Sequence, residues 1–211
     1  MMPKPRRPRT VRPPARAAAL PRHGGLAVPW ITGWFDGRPY FGVNFPVRRA
    51  QAVTHRLCQF CRHPLGRRIG LVVRPADTSA GYVDEPGMHP ECLDYAVAVC
   101  PMLNGSMDRY RTGPPAAVAG LLAVQASRAG QSAEAYEAWY ITPSGYEIAY
   151  AADGAVLGIR LDVPVLMKRP VRAAARPRLT DEQTALLRQV LDLEAVRAVE
   201  SLLDIPGDTP S

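Results

Sequence analysis

The sequence predicts an α+β fold: a small metal-stabilised module with a flanking β-hairpin, followed by a helix, a β-meander and a C-terminal helix. Three observations lead to that expectation. Cys58 and Cys61 are followed, twenty-seven residues later, by His89 and Cys92, so two pairs of metal-ligating side chains each enclose two residues. Short apolar runs from Trp30 to Leu161 are bounded by turn residues such as Asp36-Gly37 and Asp153-Gly154, as strands are. From Thr180 onward, apolar residues return with an approximate helical period.

The chain opens on a basic tail. Residues 1–25 have no hydrophobic period and too little apolar side chain to offset the entropy of ordering, so they are expected to be disordered. The whole chain carries 26 basic against 19 acidic residues, a net charge of +7. Lys4, Arg6, Arg7, Arg9, Arg12, Arg16 and Arg22 supply seven positives with no acid among them, which leaves the remainder balanced at 19 against 19. The basic character therefore belongs to the tail. Such a tail either contacts phosphate with release of counterions or serves only to solubilise. No run approaches the apolar length of a membrane span, and the stretch from Ala17 to Leu20, closed by Pro21, is too short for a secretory segment. A cytoplasmic protein of a bacterial host cell, with no membrane partner, is expected.

Residues 26–105 are assigned to the metal module. Within it, Trp30 to Phe35 and Pro39 to Val43 form a hairpin whose Asp36-Gly37 turn supplies positive φ. Its aromatic residues suit a base-stacking platform, but half-buried strands also favour aromatics, and packing is the simpler account. Pro46 to Arg56 forms a short helix with Pro46 in its first turn. Ile69 to Val73 and Gly81 to Val83 are strands on either side of a loop at Pro75 to Ala80. A helix beginning at Pro90 runs to Cys100, where Pro101 stops it. In residues 106–167, Pro114-Pro115 opens a buried helix to about Ala129. Three strands then form the meander, at Tyr136 to Thr142, Tyr146 to Ala151 and Ala155 to Leu161. Residues 168–179, with Lys168, Arg169, Arg172, Arg176 and Arg178, read as a basic linker. Residues 180–205 form the last helix, capped by Thr180 with Gln183 reaching back.

Zinc takes four soft or borderline ligands in a tetrahedron, and thiolates or imidazoles two residues apart reach one ion from a single turn. Cys58, Cys61, His89 and Cys92 are thus the expected ligands of one zinc ion. Four ligands from the protein leave no place for water, so the role is structural. The alternative is a set of scattered core cysteines and a satisfied histidine. Cys100 lies roughly 12 Å of helical rise beyond Cys92 and is expected to be a buried thiol, while His63 is a weaker competitor for ligation. A knuckle, a hairpin and a helix with ligands in its first turn resemble a treble-clef zinc finger, or half of a LIM domain. Between Asp36 and Asp77 there is no acid but there are eight arginines, Arg62, Arg67 and Arg68 among them. With Arg6, Arg7, Arg9 and Arg12 of the tail, these three are the candidate nucleic-acid contacts. Offsetting the charge of a three-thiolate centre is the competing role.

Leu57-Cys58-x-x-Cys61-x-x-x-Leu65-Gly66, then Pro86-x-x-His89-x-x-Cys92-x-x-Tyr95-Ala96 and Cys100-Pro101, resembles a family of uncharacterised proteins carried by bacteriophages and mobile elements. The resemblance covers about a third of the chain. It implies a phage or mobile-element origin and a Cys-Cys-His-Cys metal site, with no activity to carry over. There is no His-Glu-x-x-His, Walker loop, Gly-x-Ser-x-Gly or deaminase His-Glu signature. The expected function is a non-enzymatic zinc-binding accessory protein that contacts nucleic acid. The alternatives are an adaptor or host-factor inhibitor docking through the C-terminal helix, partnered by a host or phage protein, and a virion-associated component.

Overall fold

The computed structural model describes residues 11–110, 130–174, 185–186 and 188–192. The chain divides into two compact units, Met1–Ala175 and Arg176–Ser211. In the second, residues 185, 186 and 188–192 are helical, inside the span expected for the C-terminal helix.

The first unit opens with a 3-10 turn at Ala15–Ala17 and a two-residue ladder, β1 (Arg22–His23) with β2 (Leu26–Ala27). The aromatic hairpin follows as β3 (Thr32–Phe35) and β4 (Arg38–Asn44). Asp36 and Gly37, at φ 47° and 69°, make its turn, the two positive angles that a tight hairpin asks of Asp-Gly. Then come α1 (Pro46–Thr54), β5 (Ile69–Val73), α2 (Pro75–Ala80), β6 (Tyr82–Val83), α3 (Pro90–Val99) and α4 (Pro101–Asn104). After residues 111–129, which lie outside the described residues, come β7 (Tyr136–Ile141), β8 (Ile148–Tyr150), β9 (Val156–Arg160) and β10 (Val165–Arg172).

The core is organised by an antiparallel sheet in the order β10-β7-β5. Every residue of β5 is buried, the signature of a strand covered on both faces. Side chains alternate across a strand, and the two faces build two separate apolar clusters. Val72, Ala138 and Tyr140 join Cys58, Phe60, Cys92, Leu93 and Tyr95 on one side. Ile69, Leu71, Val73, Trp139 and Ile141 join Val53, Val83, Tyr146 and Ile159 on the other. The second cluster is closed by a smaller antiparallel sheet, β6-β9-β8. Gly70 sets how closely α3 approaches, because a Cβ there would lie 2.8 Å from Leu93 Cδ1.

Several expectations are corrected here. The stretch Pro75–Ala80 is a helix, not a loop: Pro75 opens it, and the Asp77 carboxylate accepts from the Arg74 backbone N–H at 2.9 Å. Pro101 ends α3 as expected but also opens α4, since its fixed φ suits a first helical position as well as it blocks an interior one. The three strands do not form a meander. β7 is apolar on both faces and pairs with β5 and β10, while β8 and β9 leave for the other sheet after a 3-10 turn at Pro143–Gly145. The basic linker expected from residue 168 is, up to Arg172, an edge strand, a position that tolerates Lys168, Arg169 and Pro170. The central sheet crosses the boundary drawn at residues 105 and 106, so the metal module and the segment after it share one core. Residues 11–25 also depart from the expected disorder: Ala17 is fully buried, and Val11 and Leu20 pack on the first cluster. The expected helix at 115–129 and most of that at 180–205 lie outside the described residues.

Candidate metal centre

The four predicted ligands come together. One donor atom from each of Cys58, Cys61, His89 and Cys92 lies within 4.8 Å of all the others, and all four residues are buried. This arrangement is compatible with a single metal ion.

Local chain geometry builds each half. At the knuckle, the Arg62 N–H donates to the Cys58 carbonyl (2.8 Å) and the Cys58 N–H to the His63 carbonyl (2.9 Å). Arg62 takes a left-handed φ of 68° to close the turn, so both sulfurs face inward. The other half is set by β5. Gly70 and Met88 exchange two backbone hydrogen bonds of 2.8 Å, which pins the residue before His89 to the sheet. His89 is then the N-cap of α3, and Cys92 lies in its first turn. The amides left unpaired at a helix start favour negative charge, which suits a thiolate there. Phe60 and Tyr95 stack edge to face at 5.4 Å beside the sulfurs, and the Ala27 N–H donates to Tyr95 Oη at 3.1 Å.

His89 presents its two nitrogens to different partners. Nδ1 is 3.4 Å from Cys61 Sγ, and Nε2 is 2.9 Å from the Pro64 carbonyl oxygen. A carbonyl only accepts, so Nε2 carries the proton and the Nδ1 lone pair points into the sulfur cluster, the tautomer that metal ligation requires. Arg16 Nη1 also lies 3.1 Å from Nε2, but with Nε2 protonated it can only face that atom. Its bond is with Glu91, Nε to Oε1 at 2.7 Å. Arg16, Glu91 and the Pro64 carbonyl thus form a surround for the site that the sequence did not show. Glu91 lies inside the His-x2-Cys spacing, but nothing local in the tail marks Arg16 as its partner.

The sulfurs perturb one another strongly. Hydrogen bonds from Cys58 and Cys92 hold the Cys61 thiol far below the ordinary thiol range. Burial pushes Cys58 up to about 11, and hydrogen bonds with Cys58 and Cys61 push Cys92 up as well. Cys100, whose thiol burial also raises, and the exposed His63 stand outside the four-residue group.

The predicted nucleic-acid residues divide. Arg6, Arg7 and Arg9 lie outside the described residues. Arg12, Arg67 and Arg68 are exposed, and Arg62, also exposed, lies over the Trp30 ring at 5.4 Å. Four other arginines of the acid-free stretch are structural. Arg48 donates to the Trp30 carbonyl (2.7 Å), Arg49 to that of Asp84 (2.7 Å) and Arg56 to that of Tyr146 (3.2 Å), while Arg74 is buried among carboxylates.

No family model, curated protein or solved structure matches the chain. Among the described residues, no helix is long and apolar enough to cross a membrane.

Proposed function

We propose that this chain is a non-enzymatic, zinc-binding accessory protein that contacts nucleic acid through its basic tail and its arginine-bearing knuckle. Zinc is the metal this donor set suits, because three thiolates and one imidazole are the ligands of closed, tetrahedral structural sites. Cys58, Cys61, His89 and Cys92 would hold it, and its role would be to fix the knuckle on the first turn of α3 in a treble-clef-like arrangement. The resemblance of the motif to phage and mobile-element proteins supports that origin.

One observation carries the nucleic-acid reading. The basic arm is attached at the metal centre: Arg16 is paired with Glu91 and faces the same His89 nitrogen that donates to Pro64, in the chain between Arg62 and Arg67. Arg16 of the arm and the knuckle that carries Arg62 and Arg67 therefore meet at one site, although the folded body is neutral in sum. Titration of duplex and single-stranded DNA at several salt concentrations tests this. Neutralising Arg67 and Arg68 should weaken binding to all sequences alike and reduce the salt slope by about one for each phosphate that is no longer neutralised. Binding that is absent, or indifferent to salt, would overturn the reading.

The adaptor reading has one observation in its favour. Leu186, Val190 and Leu191 of the second unit are exposed at 61%, 43% and 55%, and residues four apart share a helix face. A co-purifying protein whose capture survives loss of the tail would support it instead.

A further inference from the structure

Of the four aromatic side chains on the hairpin strands, two meet each other and two are left partly exposed. Phe35 and Tyr40 meet edge to face at 5.2 Å, and the pairing of Phe35 with Arg38 and of Gly33 with Tyr40 places both rings on one face. Trp34, paired with Pro39, alternates to the opposite face and is 36% exposed.

Phe41 follows Tyr40 at an interruption of the ladder. The register steps from Gly33↔Tyr40 to Thr32↔Asn44, so the chain from Phe41 to Val43 has no partner on β3. Gly42 takes a φ of 85° inside that bulge, and Phe41 is left 36% exposed. Bulges re-aim side chains and occur preferentially beside functional sites.

The surroundings are basic. Arg38 is exposed at the turn, and His23, from the β1–β2 ladder, lies 6.3 Å from the Phe41 ring beside exposed Arg22. Asp36 is the sole acid from β1 through β5. Flat rings exposed among cations suit a chain that offers both unpaired bases and phosphates. A duplex conceals its base faces, whereas a single strand presents them for stacking.

We propose that the hairpin surface carrying Trp34 and Phe41 is a stacking platform for single-stranded nucleic acid, with Arg22 and His23 positioned for its phosphates. This rests on the nucleic-acid reading above and gives it a substrate class: the knuckle and tail supply charge, and the hairpin selects the single strand.

Fluorescence anisotropy of the full-length, metal-loaded protein tests it, with a labelled oligothymidylate and a duplex of the same length as probes. Trp34→Ala and Phe41→Ala should each weaken oligothymidylate binding about tenfold or more and leave duplex binding unchanged, while Trp34→Phe keeps most of the single-strand affinity. Unchanged metal content and circular dichroism establish that the variants fold. If both alanine variants bind the single strand as the parent does, or lose duplex and single strand equally, the platform is refuted and the charge-based reading stands. If the parent protein binds neither probe, both proposals fall.

Discussion

Among the described residues, two buried polar clusters invite comparison, and each is kept buried in a different way. At the start of α3, three sulfurs and an imidazole converge with no positive charge of their own inside the cluster. At the end of β5, the Arg74 guanidinium is 5% exposed, donates through Nε and Nη2 to Asp77, and reaches Asp84 at 3.2 Å and Glu134 at 3.6 Å. Burial alone would lower the Arg74 pKa, but the carboxylates of Asp77, Asp84 and Glu85 together more than reverse this and raise it. The second cluster contains its own cation. The first has only donors of electron pairs, the set that a metal cation would complete.

The largest effect should follow from taking the metal from the first cluster. Structural zinc sites contribute on the order of 10 kcal/mol in finger peptides at neutral pH, as much as the whole stability of an ordinary domain. A chelator, or Cys58→Ser or Cys92→Ser, should therefore unfold the knuckle and α3, read as lost amide protection and the loss of one equivalent of metal. One equivalent retained in both variants would refute the ligand set. The site should also respond to pH with a definite sign. Burial raises Cys58, and the neighbouring sulfurs raise Cys92, whereas a thiolate is the form that binds metal. Metal uptake must then expel thiol protons, so affinity falls as pH falls. Calorimetry in buffers of different ionisation enthalpy counts those protons.

Arg74→Met should have the next largest effect, and it separates the two clusters. Removing one partner of a buried pair leaves Asp77 charged without its cation, at a cost of about 3–5 kcal/mol. The melting temperature should fall while the protein still carries one equivalent of metal. Replacing Asp77 with leucine in the same chain should recover part of the loss, because a buried pair is often no better than apolar residues of similar volume.

The same contrast explains what could be read from the sequence. The metal site was legible because its geometry is local. Two residues between ligands, a knuckle and a proline-started helix are properties of a few consecutive positions, and so is the Asp36-Gly37 turn. The Arg74 cluster was not legible. Arg74 appears in the sequence as the last of eight arginines in an acid-free stretch; its partner Asp77 lies only three residues on, but Asp84 and Glu134 are brought to it by the fold. Sheet order was hidden for the same reason. β7 reads as the first strand of a meander from its turn residues, but its two apolar faces require a covered, central place between β5 and β10. Turn chemistry reports where a strand ends and is silent about which strand lies beside it. Long-range pairing likewise tied Arg16 to Glu91, ordering part of a tail that composition alone assigns to disorder.

The smallest effect should come from Arg169, and it sets the scale for the other two. Arg169 Nη2 lies 2.7 Å from Asp94 Oδ1 and so joins β10 to α3, yet both side chains are about half exposed, at 43% and 58%. Its geometry is no worse than that of the Arg74 contacts; the difference is solvent. Exposed pairs contribute about 0.2–1 kcal/mol, since water and salt screen the attraction and two long side chains must be ordered. Arg169→Ala should therefore shift the denaturation midpoint only slightly, and less still at high salt. A loss as large as that of Arg74→Met would mean that the bridge from β10 to α3 matters for more than its charge. The packing of the Arg169 stem along the edge strand would then be the term to examine, and Arg169→Met, which keeps most of that stem, would restore the stability that alanine removes.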